Sequence, residues 1–284
     1  MAIVLAAIAW TSLAFGCLGG TFISLPRTTT NAMSLRVHSG DSSDGLVPAG
    51  TFELTAFGRT LLSDLPAWHR TNVSGQIKFL ESASSNHWDY VRLDLTPAAG
   101  PDYARWLRHL LFVAPDLFAI LDEAELAEAG QPRIALASPG SLMLEPRSKD
   151  FRLETRDAGF TAHVFASLPA QFDSWKSNSV AGSNTFTWKA TNQVQQIRIL
   201  TLIIPHAVGK RGGTGFKLME SDTAVGARVW RNGLPTLIAF RTAPPGSGAD
   251  LASMPFDGPV AVDVFDPEAI KRRRSLSLPK RSNP

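Results

Sequence analysis

The dominant pattern in this chain, from Leu35 onward, is a period of two in its apolar residues. In the segment 91–96, Val, Leu and Leu alternate with Arg, Asp and Thr, and the segments 160–166 and 225–229 show a similar alternation. Because successive side chains of a β-strand point to opposite faces, this period predicts half-buried strands. Turn residues recur between the segments, often ten to twenty residues apart. Together these features predict an all-β fold, a large antiparallel β-sandwich.

Two longer stretches, 110–113 with 117–121 and then 197–204, are apolar at almost every position. A strand that is covered on both faces has no solvent-facing side, so both stretches are expected to form central strands. The only helical pattern is short, at 122–129, where it predicts a helix or a turn within a loop. Elsewhere little helix is expected, apart from an N-terminal apolar helix.

The first 26 residues contain no charged side chain. Three interpretations of this segment stay open: an export signal or membrane anchor, the last helix and linker of an upstream helical domain, or a buried first strand or helix. The first is weakened by the lack of Lys or Arg before the apolar run and by glycines in its second half. We expect an extracytoplasmic location, whether periplasmic, secreted or membrane-anchored, with membrane contact only through residues 1–25.

Composition divides the chain into three parts: an apolar segment and linker at 1–30, a sandwich at 31–270, and a basic tail at 271–284 that is predicted to be disordered. The tail holds six Lys and Arg residues, so subtracting them from the net charge of +3 leaves −3 for the rest of the chain. This balance gives no basic surface for nucleic acid. Cys17 is the only cysteine, which excludes an internal disulfide.

Segment 31–76 contains a Gly40-Asp41 pair after an extended stretch, then Gly50-Thr51-Phe52, a tight turn at Phe57-Gly58, and Asp64. Further along, an arginine opens the Leu-Phe-Val stretch within 106–123, a Pro-Asp turn follows, and a second stretch ends at an aspartate. In these features residues 32–137 resemble the C-terminal β-sandwich of the heparinase II/III-like family. The resemblance implies a relative of polysaccharide lyases that pair an N-terminal α/α toroid with this sandwich and cleave uronate-containing polysaccharides by β-elimination.

The family's H-x-H-x-D element is missing from this sequence. Counting back from Gly50, its positions fall on 44–48, where the residues are Asp, Gly, Leu, Val and Pro. Family members also draw a Tyr, and often an Asn or His, from the toroid, which this sequence does not contain. The resemblance therefore implies a sandwich that is catalytically impaired alone, or one that works with a separate α/α toroid chain on an acidic polysaccharide.

Elimination next to a uronate carboxylate needs a base, an acid and a group that neutralises the carboxylate, and His suits the proton transfers because its pKa can be tuned toward neutrality. His38 and His69 are the catalytic candidates for a rearranged site. Trp68 and Asn72 are the candidates for substrate contact, since aromatic rings can stack on sugars.

Asp64 matches the aspartate of a structural zinc site in some family members, and His69 lies near the position of a later ligand. Zinc sites use three or four ligands, and these two residues supply only two. We therefore expect no cofactor and interpret Asp64 as a carboxylate that caps a turn, with zinc at Asp64 and His69 as the alternative. His109 is interpreted as a hydrogen-bonded histidine of the sheet and Tyr90 as a packing residue.

Three functions remain in competition. The first is a diverged heparinase II/III-like sandwich, impaired or dependent on a partner, that binds or acts on acidic polysaccharide. The second is a non-catalytic carbohydrate-binding or structural β-sandwich. The third is an active lyase that uses a rearranged site of His38, His69 and Asp64.

Overall fold

The computed structural model describes most of the chain between residues 33 and 264. The described ranges are 33–37, 52–64, 77–85, 87–138, 141–144, 150–154, 158–176, 184–207, 209, 214–231, 234–244 and 246–264. The N-terminal segment and the basic tail lie outside them. None of the helices in these ranges has the length and apolar character needed to cross a membrane.

These ranges contain twenty strands and one short helix. The strands are β1 Met33–Val37, β2 Phe52–Ala56, β3 Arg59–Asp64, β4 Lys78–Ser84, β5 Trp88–Asp94, β6 Tyr103–Val113, β7 Leu117–Gly130, β8 Arg133–Ser138, β9 Ser141–Leu144, β10 Asp150–Glu154, β11 Ala158–Ala166, β12 Ala170–Lys176, β13 Asn184–Ala190, β14 Val194–Ala207, β15 Thr214–Glu220, β16 Ala224–Arg231, β17 Leu234–Arg241, β18 Ala249–Leu251, β19 Met254–Phe256 and β20 Val260–Val264. The helix, α1, is a single turn at Thr96–Ala99.

The strands form three large antiparallel sheets and a small hairpin. The front sheet has the order β1-β2-β3-β8-β13-β12, the central sheet β4-β5-β6-β7-β14-β11-β10-β9, and the back sheet β15-β16-β17-β20. Strands β18 and β19 pair only with each other. The prediction of an all-β, antiparallel sandwich is confirmed.

Two apolar cores lie on opposite faces of the central sheet. Leu110 and Phe112 pack with residues of the front sheet such as Leu54, whereas Leu111 and Val113 pack with residues of the back sheet such as Val229. Neighbours along one strand thus enter different cores, because side chains alternate between faces. The apolar stretches 110–113, 117–121 and 197–204 therefore lie in strands buried on both sides, as predicted.

The helix predicted at 122–129 is wrong, because these residues belong to the long strand β7, which pairs with β6 and β14. Ala, Glu and Leu favour helices when a segment stands alone. Here hydrogen bonding to a strand on each side, and burial of Ala124 and Leu126, override that preference. The single-turn helix α1 lies in the connection between β5 and β6.

Gly226 of β16 lies where the back sheet approaches the β18–β19 hairpin. A Cβ atom at this position would lie 2.0 Å from the carbonyl oxygen of Ile238 and 2.7 Å from a methyl group of Leu251. The backbone of β17 therefore leaves no room for any side chain.

We expect Gly226→Ala to lower the free energy of unfolding by about 1–3 kcal/mol, because the backbone must shift to admit the methyl group. Urea denaturation would measure the change. Gly248→Ala is the matched control, since its added Cβ would lie 3.7 Å from the nearest atom, a carboxylate oxygen of Asp257. Equal denaturation midpoints for the two variants would contradict the close approach.

Candidate functional site

The residues predicted to act on substrate lie mostly outside the described ranges. His38, Trp68, His69 and Asn72 all do so. Asp64 is the last residue of β3, where its backbone pairs with Leu136 of β8, but its side chain is not among those described. Within the ranges given above, no three His, Cys, Asp or Glu side chains are grouped as metal ligands. The catalytic, substrate-contact and metal assignments remain predictions.

A polar cleft lies on the face of the central sheet that is turned toward the back sheet. Strand register builds it: Arg105 of β6 pairs with Glu125 of β7, and Glu125 pairs with Gln196 of β14. Two residues along β7, Glu123 pairs with Arg198. The cleft has a volume of about 290 Å³ and is lined by Arg105, Glu123, Ala124, Glu125, Ser167, Gln196, Ile197 and Arg198.

A chain of hydrogen bonds runs from the cleft into the back core. The Glu123 carboxylate accepts hydrogen bonds from Arg198 Nε at 3.3 Å and from His109 Nε2 at 3.0 Å. The other ring nitrogen, His109 Nδ1, lies 2.8 Å from the Tyr90 hydroxyl. An ionised carboxylate can only accept, so Glu123 requires a proton on His109 Nε2.

The positive groups around Glu123 keep it ionised despite its burial. Burial alone would raise the pKa of this carboxyl, but the hydrogen bond and charge of His109, with the charges of Arg198 and Arg105, outweigh burial and lower the pKa below its usual value of 4.5. Burial raises the pKa of the Tyr90 phenol, so this group stays protonated. Glu123 is thus a fixed anion at the floor of the cleft.

The carboxylate that precedes Glu123 in the chain faces the opposite core. Asp122 Oδ1 accepts hydrogen bonds from Arg108 Nε and from Trp106 Nε1, both at 2.8 Å, and the ring centroid of Phe52 lies 5.5 Å from the Arg108 guanidinium carbon. Arg108 and Asp122 are both buried. This ion pair links β6 to β7 inside the front core, so it serves the fold, whereas Glu123 faces the cleft.

The environments of His109 and Tyr90 were predicted correctly from the sequence, but the cleft was not predicted. Both residues are fully buried and hydrogen-bonded, as their interpretation as sheet and packing residues required. The cleft residues were missed because 122–129 resembles a helix, in which Glu123 and Glu125 would not share a face. Read as a strand, the segment alternates acidic residues with Ala124 and Leu126, which is the pattern that could have found them.

Comparison with known proteins gives matches among solved structures only. No protein-family model matches the sequence, and no curated protein matches it. A heparinase III gene product matches with a TM-score of 0.61 at 14% identity, over 79% of this chain and 41% of its own. The heparan sulfate lyase HepC from Pedobacter heparinus matches with a TM-score of 0.61 at 11% identity, over 80% and 43%. Heparinase III matches with a TM-score of 0.58 at 14% identity, over 79% and 42%.

These matches define the fold. The chain has a heparinase-like β-sandwich, distantly similar to those of heparan-degrading lyases. It spans less than half the length of each matching chain. The resemblance found in residues 32–137 is therefore supported at the level of fold.

Replacing Glu123 by Gln should destabilise the protein in a pH-dependent way. The folded state lowers the pKa of this carboxyl. Its stabilising contribution is therefore fully present above pH 4.5 and is lost as the pH falls through the folded-state pKa. The gap in unfolding free energy between wild type and Glu123→Gln, about 1–3 kcal/mol at neutral pH, should close on acidification.

Chemical denaturation at a series of pH values would measure this gap. Glu220 is exposed on β15, so Glu220→Gln is the control, and it should change the unfolding free energy at neutral pH by less than about 0.5 kcal/mol. A Glu123→Gln gap that stays constant down to acidic pH would contradict the ionised state assigned to Glu123.

Proposed function

We propose that this chain is a heparinase II/III-like, lyase-related sandwich that binds or acts on acidic, uronate-containing polysaccharide. The observation that carries the proposal is the fold likeness to heparinase III and heparan sulfate lyase over about four-fifths of the chain. The motif resemblance in residues 32–137 supports it independently, because it rests on the sequence alone. An extracytoplasmic location belongs to the same proposal, since a polysaccharide substrate and the apolar segment 1–25 both favour it.

Catalysis by this chain alone is proposed to be impaired. The positions of the family's two imidazoles hold Asp44 and Leu46. A carboxylate retains some capacity as a base, but leucine cannot transfer a proton or bind a metal. A separate α/α toroid chain would supply the remaining acid and substrate-binding groups.

A non-catalytic carbohydrate-binding sandwich is the second candidate. The observation that favours it is the cleft, which offers fixed donors and acceptors outside the segment 38–72, where the catalytic candidates lie. Saturable polysaccharide binding without any elimination product, with or without a toroid chain, would support this candidate over the first.

We expect the isolated protein to bind heparan sulfate saturably and to form little unsaturated uronate product, because it lacks the histidine motif. Calorimetry would measure binding, and the ultraviolet absorbance of the unsaturated uronate would measure elimination. Rapid elimination would contradict the impaired state and point to the rearranged site. In that event His69→Ala should abolish activity, while His87→Ala, an exposed control in a turn, should not.

Trp68→Ala and Asn72→Ala should each weaken heparan sulfate binding about tenfold if these residues contact the substrate, through lost stacking and a lost hydrogen bond. Phe79→Ala is the control, because Phe79 is an aromatic residue of the edge strand β4 that is 37% exposed. Affinities that are equal for all three variants would exclude Trp68 and Asn72 from the binding surface.

A further inference from the structure

We infer that the cleft across β6, β7 and β14 is a binding site for a sugar ring, which it recognises through the ring's hydroxyl groups rather than through negative charge. The inference rests on the proposed polysaccharide function and assigns a place and a mode of recognition. The cleft lies on the face of the central sheet that is turned away from the front sheet. The front sheet contains β3, the strand that ends at Asp64.

Strand register sets the spacing of the polar groups. Arg105, Glu125 and Gln196 lie side by side across three neighbouring strands. Directly paired residues of antiparallel strands have Cβ atoms about 4.5–5.5 Å apart. One row therefore presents a donor, an acceptor and an amide that is both at intervals of about 4.5–5.5 Å, so two neighbouring members can contact one sugar ring.

A second row extends the same surface toward β11. Glu123 pairs with Arg198, and the backbone N–H of Ser167 donates to the Arg198 carbonyl at 3.1 Å. The Ser167 hydroxyl in turn accepts a hydrogen bond from the Arg198 backbone N–H at 3.3 Å.

The charges of the cleft balance. Two guanidinium groups, from Arg105 and Arg198, face two carboxylates, from Glu123 and Glu125. A site for an anionic group would need an excess of positive charge, which this cleft does not have. Carboxylates accept hydrogen bonds from hydroxyl groups, and guanidinium groups donate hydrogen bonds to hydroxyl oxygens. A set of equal positive and negative charges can therefore bind vicinal hydroxyl groups without a net attraction for a charged ligand.

The site is also rigid and of suitable size. The Glu123 carboxylate is held by its hydrogen bond to His109, and the other ring nitrogen of His109 is hydrogen-bonded to Tyr90. Preorganised polar groups bind a ligand with less loss of conformational freedom. A volume of about 290 Å³ lies at the lower end of the range for small-molecule sites, which suits one sugar unit of a longer chain.

The test compares a heparan oligosaccharide with its desulfated, N-acetylated and carboxyl-reduced counterpart, which has the same backbone and no charge. Calorimetry on the full chain should give affinities for the two that differ by less than about threefold at high salt, where screening suppresses the charge contribution. Glu125→Ala and Gln196→Ala should each weaken binding of the neutral oligosaccharide about tenfold through the loss of hydrogen bonds.

Two controls match these variants in residue type, and Gln195 is exposed to solvent like Gln196. Glu220→Ala removes an exposed carboxylate on β15, and Gln195→Ala removes the exposed neighbour of Gln196 where the pairing of β14 with β7 shifts register. Both should bind like wild type. Thermal unfolding midpoints of all four variants, equal within error to that of wild type, would show that the fold is retained.

The outcomes separate this inference from the proposed function. If the acidic oligosaccharide binds and the neutral one does not, or if the cleft variants bind like the controls, the cleft assignment is overturned while the proposed function stands. If neither oligosaccharide binds wild type, both are overturned. Binding of the neutral oligosaccharide that is weakened only by the cleft variants supports the inference.

Discussion

The rest of the structure depends on the burial of the central sheet on both faces. Its strands β6, β7 and β14 must supply two apolar cores at once, one under the front sheet and one under the back sheet. A polar side chain in the part of these strands that both sheets cover is then enclosed and needs a partner. Arg108 with Asp122 meets this requirement on the front side, and His109 with Glu123 meets it on the back side.

Asp122 and Glu123 show that the role of a carboxylate depends on which face of the sheet its side chain occupies. The two are adjacent in β7 and both are paired with cations or hydrogen-bond donors. Asp122 is sealed between two sheets, so its ion pair can do no more than hold strands together. Glu123 lines the cleft, where a ligand can approach it.

Sequence patterns predicted those features of the fold that are set by residues close together in the chain. Alternation gave the all-β class, and the unbroken apolar stretches gave the strands with two buried faces. The cleft could not be predicted in this way, because Arg105, Glu125 and Gln196 come together only through pairing between distant strands. The helical composition of 122–129 concealed it further. The motif resemblance indicated the fold at 11–14% identity to the solved structures, where no family model matches.

The cleft is built from the part of the fold in which every strand is paired on both sides. Strands β6, β7 and β14 each have a hydrogen-bonded neighbour on either side, whereas β1, at the edge of the front sheet, pairs only with β2, from Met33 with Ala56 to Val37 with Phe52. The buried residues of β1 and β2 contribute to the front core, and the central strands contribute to both cores. The polar groups of the cleft are therefore positioned by the same strand pairing that holds the two cores together.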